Sequence, residues 1–182
     1  MITSNSKRFG DMTEMNRSTV VLGLGNPLMG DDGVGLVALE TLRRNYDFAP
    51  DVQLEDGGTL GLALLPLVEE ADSLLVLDAV RLGGHPGTTV VLQGEQIPRG
   101  LSLKVSPHQA GFLEVLALAG LRGRLPARLT LIGMEIVRAD YACSLSPEIR
   151  GALPAMIATA VATLQSWGCI ADSDHVFRAV RR

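Results

Sequence analysis

The chain has 182 residues, 47% of them hydrophobic and 20% charged, with a formal net charge of −4. That suits one domain with a sizeable core, excludes a disordered chain, and offers nucleic acid no basic run outside the last residues. Apolar runs broken every few residues and the absence of a signal-peptide core argue against membrane or export, and Cys143 and Cys169 form no CxxC pair for a structural zinc site, so the cytoplasm is the expected compartment.

Met1 to Ser18 is polar and aperiodic and reads as a mobile leader, with Met12 and Met15 each offering a later start. Thr19-Val20-Val21-Leu22 has the β-branched and aliphatic run of a buried strand. It breaks into Gly23, Gly25, Asn26 and Pro27, a turn with left-handed capacity, and then into Asp31 and Asp32. A helix follows from about Val34 to Arg44. Val52-Gln53-Leu54-Glu55 alternates as a second strand ending at Asp56-Gly57-Gly58-Thr59, and Leu60 to Val68 repeats at helical spacing. Ser73 to Ala79 is the most apolar strand, expected at the centre of the sheet, with Asp78 at its carboxyl end. Thr88 to Leu92 is a further strand after the turn His85-Pro86-Gly87. A polar loop leads to Ser106-Pro107-His108-Gln109, where His108 is expected in a loop just ahead of a helix bearing Phe112, Val115, Leu116 and Leu118. Leu129 to Gly133 is the fifth strand, and Ser146-Pro147-Glu148 caps and starts a long helix. Residues 172–182 trail off as a polar tail, which leaves 19–171 as a single domain.

Strands alternating with helices predict an α/β three-layer sandwich whose twisted, mostly parallel sheet of about five strands is flanked by helices. The loop between Ser73–Ala79 and Thr88–Leu92 is too short for a parallel crossover, so that junction is expected to be antiparallel and the sheet mixed.

Open α/β sheets collect ligands at the carboxyl ends of their parallel strands. Asp31-Asp32, Asp56 and Asp78 all fall there, and His108 can reach the same rim. Acids after a glycine-rich loop suit a cation better than a phosphate, and two carboxylates with one imidazole suit a borderline divalent ion such as nickel or zinc. Structural roles compete at each position. Either Asp31 or Asp32 can cap the helix after it, Asp56 the next helix, and Asp78 a turn or helix, while a histidine after proline can be purely structural.

The ordered set GLGNPLMGDDGVG, EDGGTLG, LVLDAV, HPGT, SPHQAG and LIGM, spanning about Val20 to Cys169, resembles the nickel-iron hydrogenase maturation endopeptidases. The resemblance implies an aspartic-type protease that clips a carboxyl-terminal extension from the hydrogenase large-subunit precursor after nickel insertion. It further implies a twisted mixed sheet of five strands, and nickel ligands at Asp32, Asp78 and His108. Many relatives carry Glu where this chain has the shorter Asp32, which leaves the choice between Asp31 and Asp32 open. Asp56 is a supporting candidate, orienting substrate or a water. The nickel would belong to the substrate, so no permanent metal is expected. A bound cation can polarise the scissile carbonyl or acidify a water, and a carboxylate general base is the alternative. The chain has no nucleophile elbow.

Three other functions compete. A nickel-binding chaperone would use the same ligands without cutting. A peptidyl-tRNA hydrolase-like esterase shares GLGNP, but requires an early histidine and a basic face that this chain lacks. A nucleotide binder would need GxGxxG, which Gly23, Gly25 and Gly30 do not form. The expected partner is the nickel-loaded precursor, met by a monomer. Arg81 to Gly84, Ile97 to Leu103 and Met134 to Cys143 are the expected surface loops that choose among hydrogenases.

Overall fold

Residues 18–101, 107–136 and 139–170 are described by the computed structural model, and the expected leader, except Ser18, and the tail lie outside them. β1 (Thr19–Leu24), β2 (Val52–Gly58), β3 (Ser73–Val80), β4 (Thr89–Gln93) and β5 (Arg128–Glu135) form one sheet in the order β2-β1-β3-β5-β4. All neighbours run parallel except β4 against β5.

Side chains alternate across a strand, and here the alternation sorts the helices into two layers. Val21, Leu75 and Leu77 pack with α1 (Val34–Asn45) and α5 (Pro147–Ser166). Val20, Leu22, Leu74 and Val76 pack on the other face with α2 (Leu65–Glu70), α3 (Gln96–Leu101) and α4 (Pro107–Leu121). β1 and β3 are buried along their whole length, as a two-sided sheet interior requires. The expected central place of the most apolar strand is therefore met by β3.

Four local expectations change. β4 runs opposite to β3 as its short connection demands, but it pairs with β5, which inserts between them through the α4 crossover. Helical spacing from Leu60 resolves into a 3-10 turn at Gly61–Leu64 and then α2, with Pro66 in its first turn. The segment from Ile97, expected to be a surface loop, forms α3 and buries Ile97 and Leu101 in the core, while residues 102–106 lie outside the described chain. Pro107 is the first residue of α4, so His108 belongs to the helix and not to a loop before it. Pro fits there because the first helical N–H needs no intrahelical partner. Pro147 takes the same first position in α5, whose N-cap Ser146 adds a side-chain bond, its Oγ accepting from Ile149 N–H at 3.3 Å.

Candidate active site

The chain leaves β1 through α1 on one face to reach β2, then crosses back through α2 on the other face to reach β3. After β3 the chain passes by way of β4 and α3 to α4, on the face opposite α1. Adjacent β1 and β3 thus lead on to opposite faces, the topology at whose carboxyl ends open α/β sheets collect ligands. Asp32 follows β1 and Asp78 nears the end of β3, so the two carboxylates flank this switch point. The 3-10 turn at Gly30–Gly33 that carries Asp32 packs against β3. Close packing depends on Gly35, where a Cβ would overlap the carbonyl oxygens of both Leu24 and Leu77. It depends equally on Gly25, at φ +124°, where a Cβ would overlap the carbonyl of Asp32.

Asp32 is 7% exposed, and its Oδ2 accepts from Asn26 N–H at 3.0 Å. Asn26 Oδ1 in turn accepts from Leu28 N–H at 3.0 Å, an Asx turn that fixes the loop. Neither acid caps α1: its N-cap is Gly33, without a side-chain bond. Asp31 instead accepts at Oδ1 from Ser146 N–H at 2.6 Å, tying the turn to the start of α5. Two backbone bonds strengthen that tie, Gly30 N–H to Ala142 O at 2.9 Å and Ala142 N–H to Leu28 O at 3.1 Å.

Asp78 shares the parity of Leu74 and Val76 and so faces the α4 layer. It is fully buried, accepting at Oδ1 from Ala79 N–H at 2.8 Å and at Oδ2 from Gln109 Nε2 at 3.1 Å. It is not the surface-cleft group that its position at a strand end suggests. His108 stands one residue before Gln109 in the first turn of α4, with its side chain outside the described set. Among the described residues no three histidines, cysteines or acids stand together.

Asp56 lies within β2, paired with Gly23 on the flank of β1 away from β3, and is exposed. It caps no helix: the N-caps after it are Leu60 and Leu64, without side-chain bonds. It lines a groove of about 590 Å³ with Pro27, Val37, Glu40 and Arg43. An apolar groove of about 690 Å³ occupies the other end of the sheet, around Arg128 where β5 begins, and lies away from all these acids.

Two buried polar residues escaped the sequence reading. Gln109 is 3% exposed and joins α4 to β3. Glu135, 3% exposed at the end of β5, accepts from Leu82 N–H at 2.9 Å and Gly83 N–H at 2.8 Å, clamping the loop that follows β3. The signal that singled out Asp78, an acid closing an apolar strand, was equally present at Glu135.

A family model described as hydrogenase maturation protease matches residues 37–163. Hydrogenase expression/formation protein HupD of Rhodobacter capsulatus is 44% identical over 151 residues, covering 82% of this chain and 72% of the relative. Hydrogenase 2 maturation protease of Escherichia coli is 33% identical over 150 residues, covering 82% and 92%. The solved structure of the hydrogenase maturating endopeptidase HybD from E. coli superposes with a TM-score of 0.81 at 31% identity, covering 84% of this chain and 95% of that one. No helix among the described residues is long and apolar enough to cross a membrane. The non-catalytic chaperone, the esterase and the nucleotide binder give way to these findings. With a family match across most of the chain and the same five-stranded mixed sheet, this protein belongs to the hydrogenase maturation protease family.

Proposed function

We propose that the chain removes the carboxyl-terminal extension of a nickel-iron hydrogenase large-subunit precursor once nickel has been inserted, and that it reads the precursor's own nickel. The observation that carries this reading is the pair of buried carboxylates, Asp32 and Asp78, at the carboxyl ends of the adjacent parallel strands β1 and β3. Buried carboxylates are retained where they are hydrogen-bonded or meet a cation. Asp32 and Asp78 would supply hard oxygen ligands and His108 an imidazole, a set suited to a borderline divalent ion. A cation in that position polarises a carbonyl or lowers the pKa of a water. The chain's own residues hold the carboxylates in place: Asn26 N–H on Asp32, and Ala79 N–H and Gln109 on Asp78. Both acids accept a main-chain N–H, and Asp32, the buried one of the two, is the position to which the family resemblance carries the ligand. Cleavage then acts as a checkpoint, because a precursor without nickel offers nothing to anchor. The protein would act in the cytoplasm as a monomer.

The test offers the purified protein candidate precursors with and without nickel and detects the released tail by mass. Cleavage is expected only of the nickel-loaded form, and Asp32→Asn, Asp78→Asn and His108→Ala are each expected to abolish or sharply reduce it. Equal cleavage of nickel-free precursor, or full activity in folded His108→Ala protein, would overturn the reading.

A further inference from the structure

The Gln109 side chain spans the gap between the two elements that bear Asp78 and His108. Its Nε2 donates to Asp78 Oδ2 at 3.1 Å and to the main-chain oxygen of Ala79 at 2.7 Å. An amide NH₂ has two hydrogens, and both are used here on acceptors. This fixes which end of the amide faces β3, since the oxygen end would meet a carboxylate and a carbonyl with nothing to donate. Asp78 meanwhile receives one N–H on each oxygen, from Ala79 and from Gln109. Its plane is thereby set against the strand that carries it.

Elsewhere α4 meets the sheet with Phe112, Val115, Leu116 and Ala119, all buried and apolar. One amide buried beside them is a costly choice for packing alone, because a buried polar group loses its hydration. An apolar residue of the same length would fill the space. What it could not do is hold a carboxylate in one orientation while pinning the first turn of α4, and with it the backbone of His108, to the end of β3.

We propose that Gln109 is a positioning residue: it sets the orientation of the Asp78 carboxylate and fixes the separation between Asp78 and His108. The proposal rests on the reading of those two residues as the groups that hold the precursor's nickel. Groups that orient metal ligands through hydrogen bonds typically cost about 10–100-fold in affinity or activity when removed.

Gln109→Met keeps the length and removes both donors, and Gln109→Glu keeps the shape but presents a second carboxylate to Asp78. Each variant is assayed on the full chain in two ways: Ni²⁺ alone by calorimetric titration, and kcat and KM on the nickel-loaded precursor. The expected result is Ni²⁺ binding about tenfold weaker or worse and kcat down by about 10–100-fold. KM for the nickel-loaded precursor should rise in step with the loss of Ni²⁺ affinity, because the precursor is anchored through its nickel. Circular dichroism should remain that of the folded protein. An unchanged KM for the nickel-loaded precursor, or no change in Ni²⁺ binding, would overturn the proposal. So would failure of both variants to fold, which would make Gln109 a structural residue. Asp78→Asn and His108→Ala run in parallel separate the two readings. If they leave Ni²⁺ binding intact, the nickel site itself is wrong; if they abolish it while Gln109→Met does not, only the positioning role fails.

Discussion

Asp31 and Asp32 are adjacent, yet the first accepts from Ser146, 115 positions on, and the second from Asn26, 6 positions back in the same loop. Asp31→Ala removes the acceptor of a charge-assisted bond to a main-chain N–H, worth about 1.5–3 kcal/mol. It is expected to lower stability in urea by about that much, with residual cleavage of a nickel-loaded precursor, whereas Asp32→Asn should lose cleavage at smaller cost in stability. Asp78 makes a sharper case. Viewed only as a strand-end acid, it would be cheap or even helpful to replace. Buried with a donor on each oxygen, it is not: Asn turns its NH₂ toward one of those donors, and the clash is expected to cost about 1–3 kcal/mol. A midpoint of chemical unfolding equal to or above that of the unaltered protein would contradict this.

At the scale of elements, the fit of α1 against the sheet rests on one missing methyl. Gly35→Ala would drive its Cβ into the carbonyls of Leu24 and Leu77, so loss of soluble folded protein, or destabilisation of about 3 kcal/mol or more, is expected. Gly151→Ala, at an exposed position of α5, meets nothing within 4 Å and should instead raise stability by about 0.5–1 kcal/mol. Thermal unfolding of the pair checks both signs. The same elements explain what could be read in advance. β1, β3 and α5 announce themselves because burial on both faces, or a serine-proline start, is written in adjacent residues. α3 is hidden because six residues containing Pro98 and Gly100 look like a loop until Ile97 and Leu101 find a core. The neighbour of β4 is unreadable locally, since β5 arrives later in the chain and takes the edge that β3 offers. His108's place in a helix was legible, because Ser106-Pro107 repeats the Ser146-Pro147 start. Gln109's role was not, because it depends on the spacing between a helix and a strand that no single segment encodes.

Across the whole molecule, the three proposed ligands come from separate elements with no thiolate among them, and on the proposed function they would give an incomplete coordination shell to a cation carried in by the substrate. Such a site should retain little metal by itself. Elemental analysis of the purified protein is expected to find well under one equivalent after mild chelation. Stoichiometric, chelator-resistant zinc would mark a resident metal and count against nickel brought by the precursor.

The bond from Ser146 to Asp31 also has a meaning in time. Proteins are made from the N-terminus, and early segments fold before late ones exist. When the Asp31–Asp32 turn emerges from the ribosome, the residue that holds it lies 115 positions further on and has not been translated. With this bond and the whole α5 layer of the core still missing, the nascent chain is expected to be inert, gaining activity only when α5 docks. Ribosome-bound chains arrested before Ser146 should leave nickel-loaded precursor uncut, and chains released with α5 complete should cut it. A cell making this protein beside its substrate would thus have a built-in delay between the first appearance of the Asp31–Asp32 turn and the first cut.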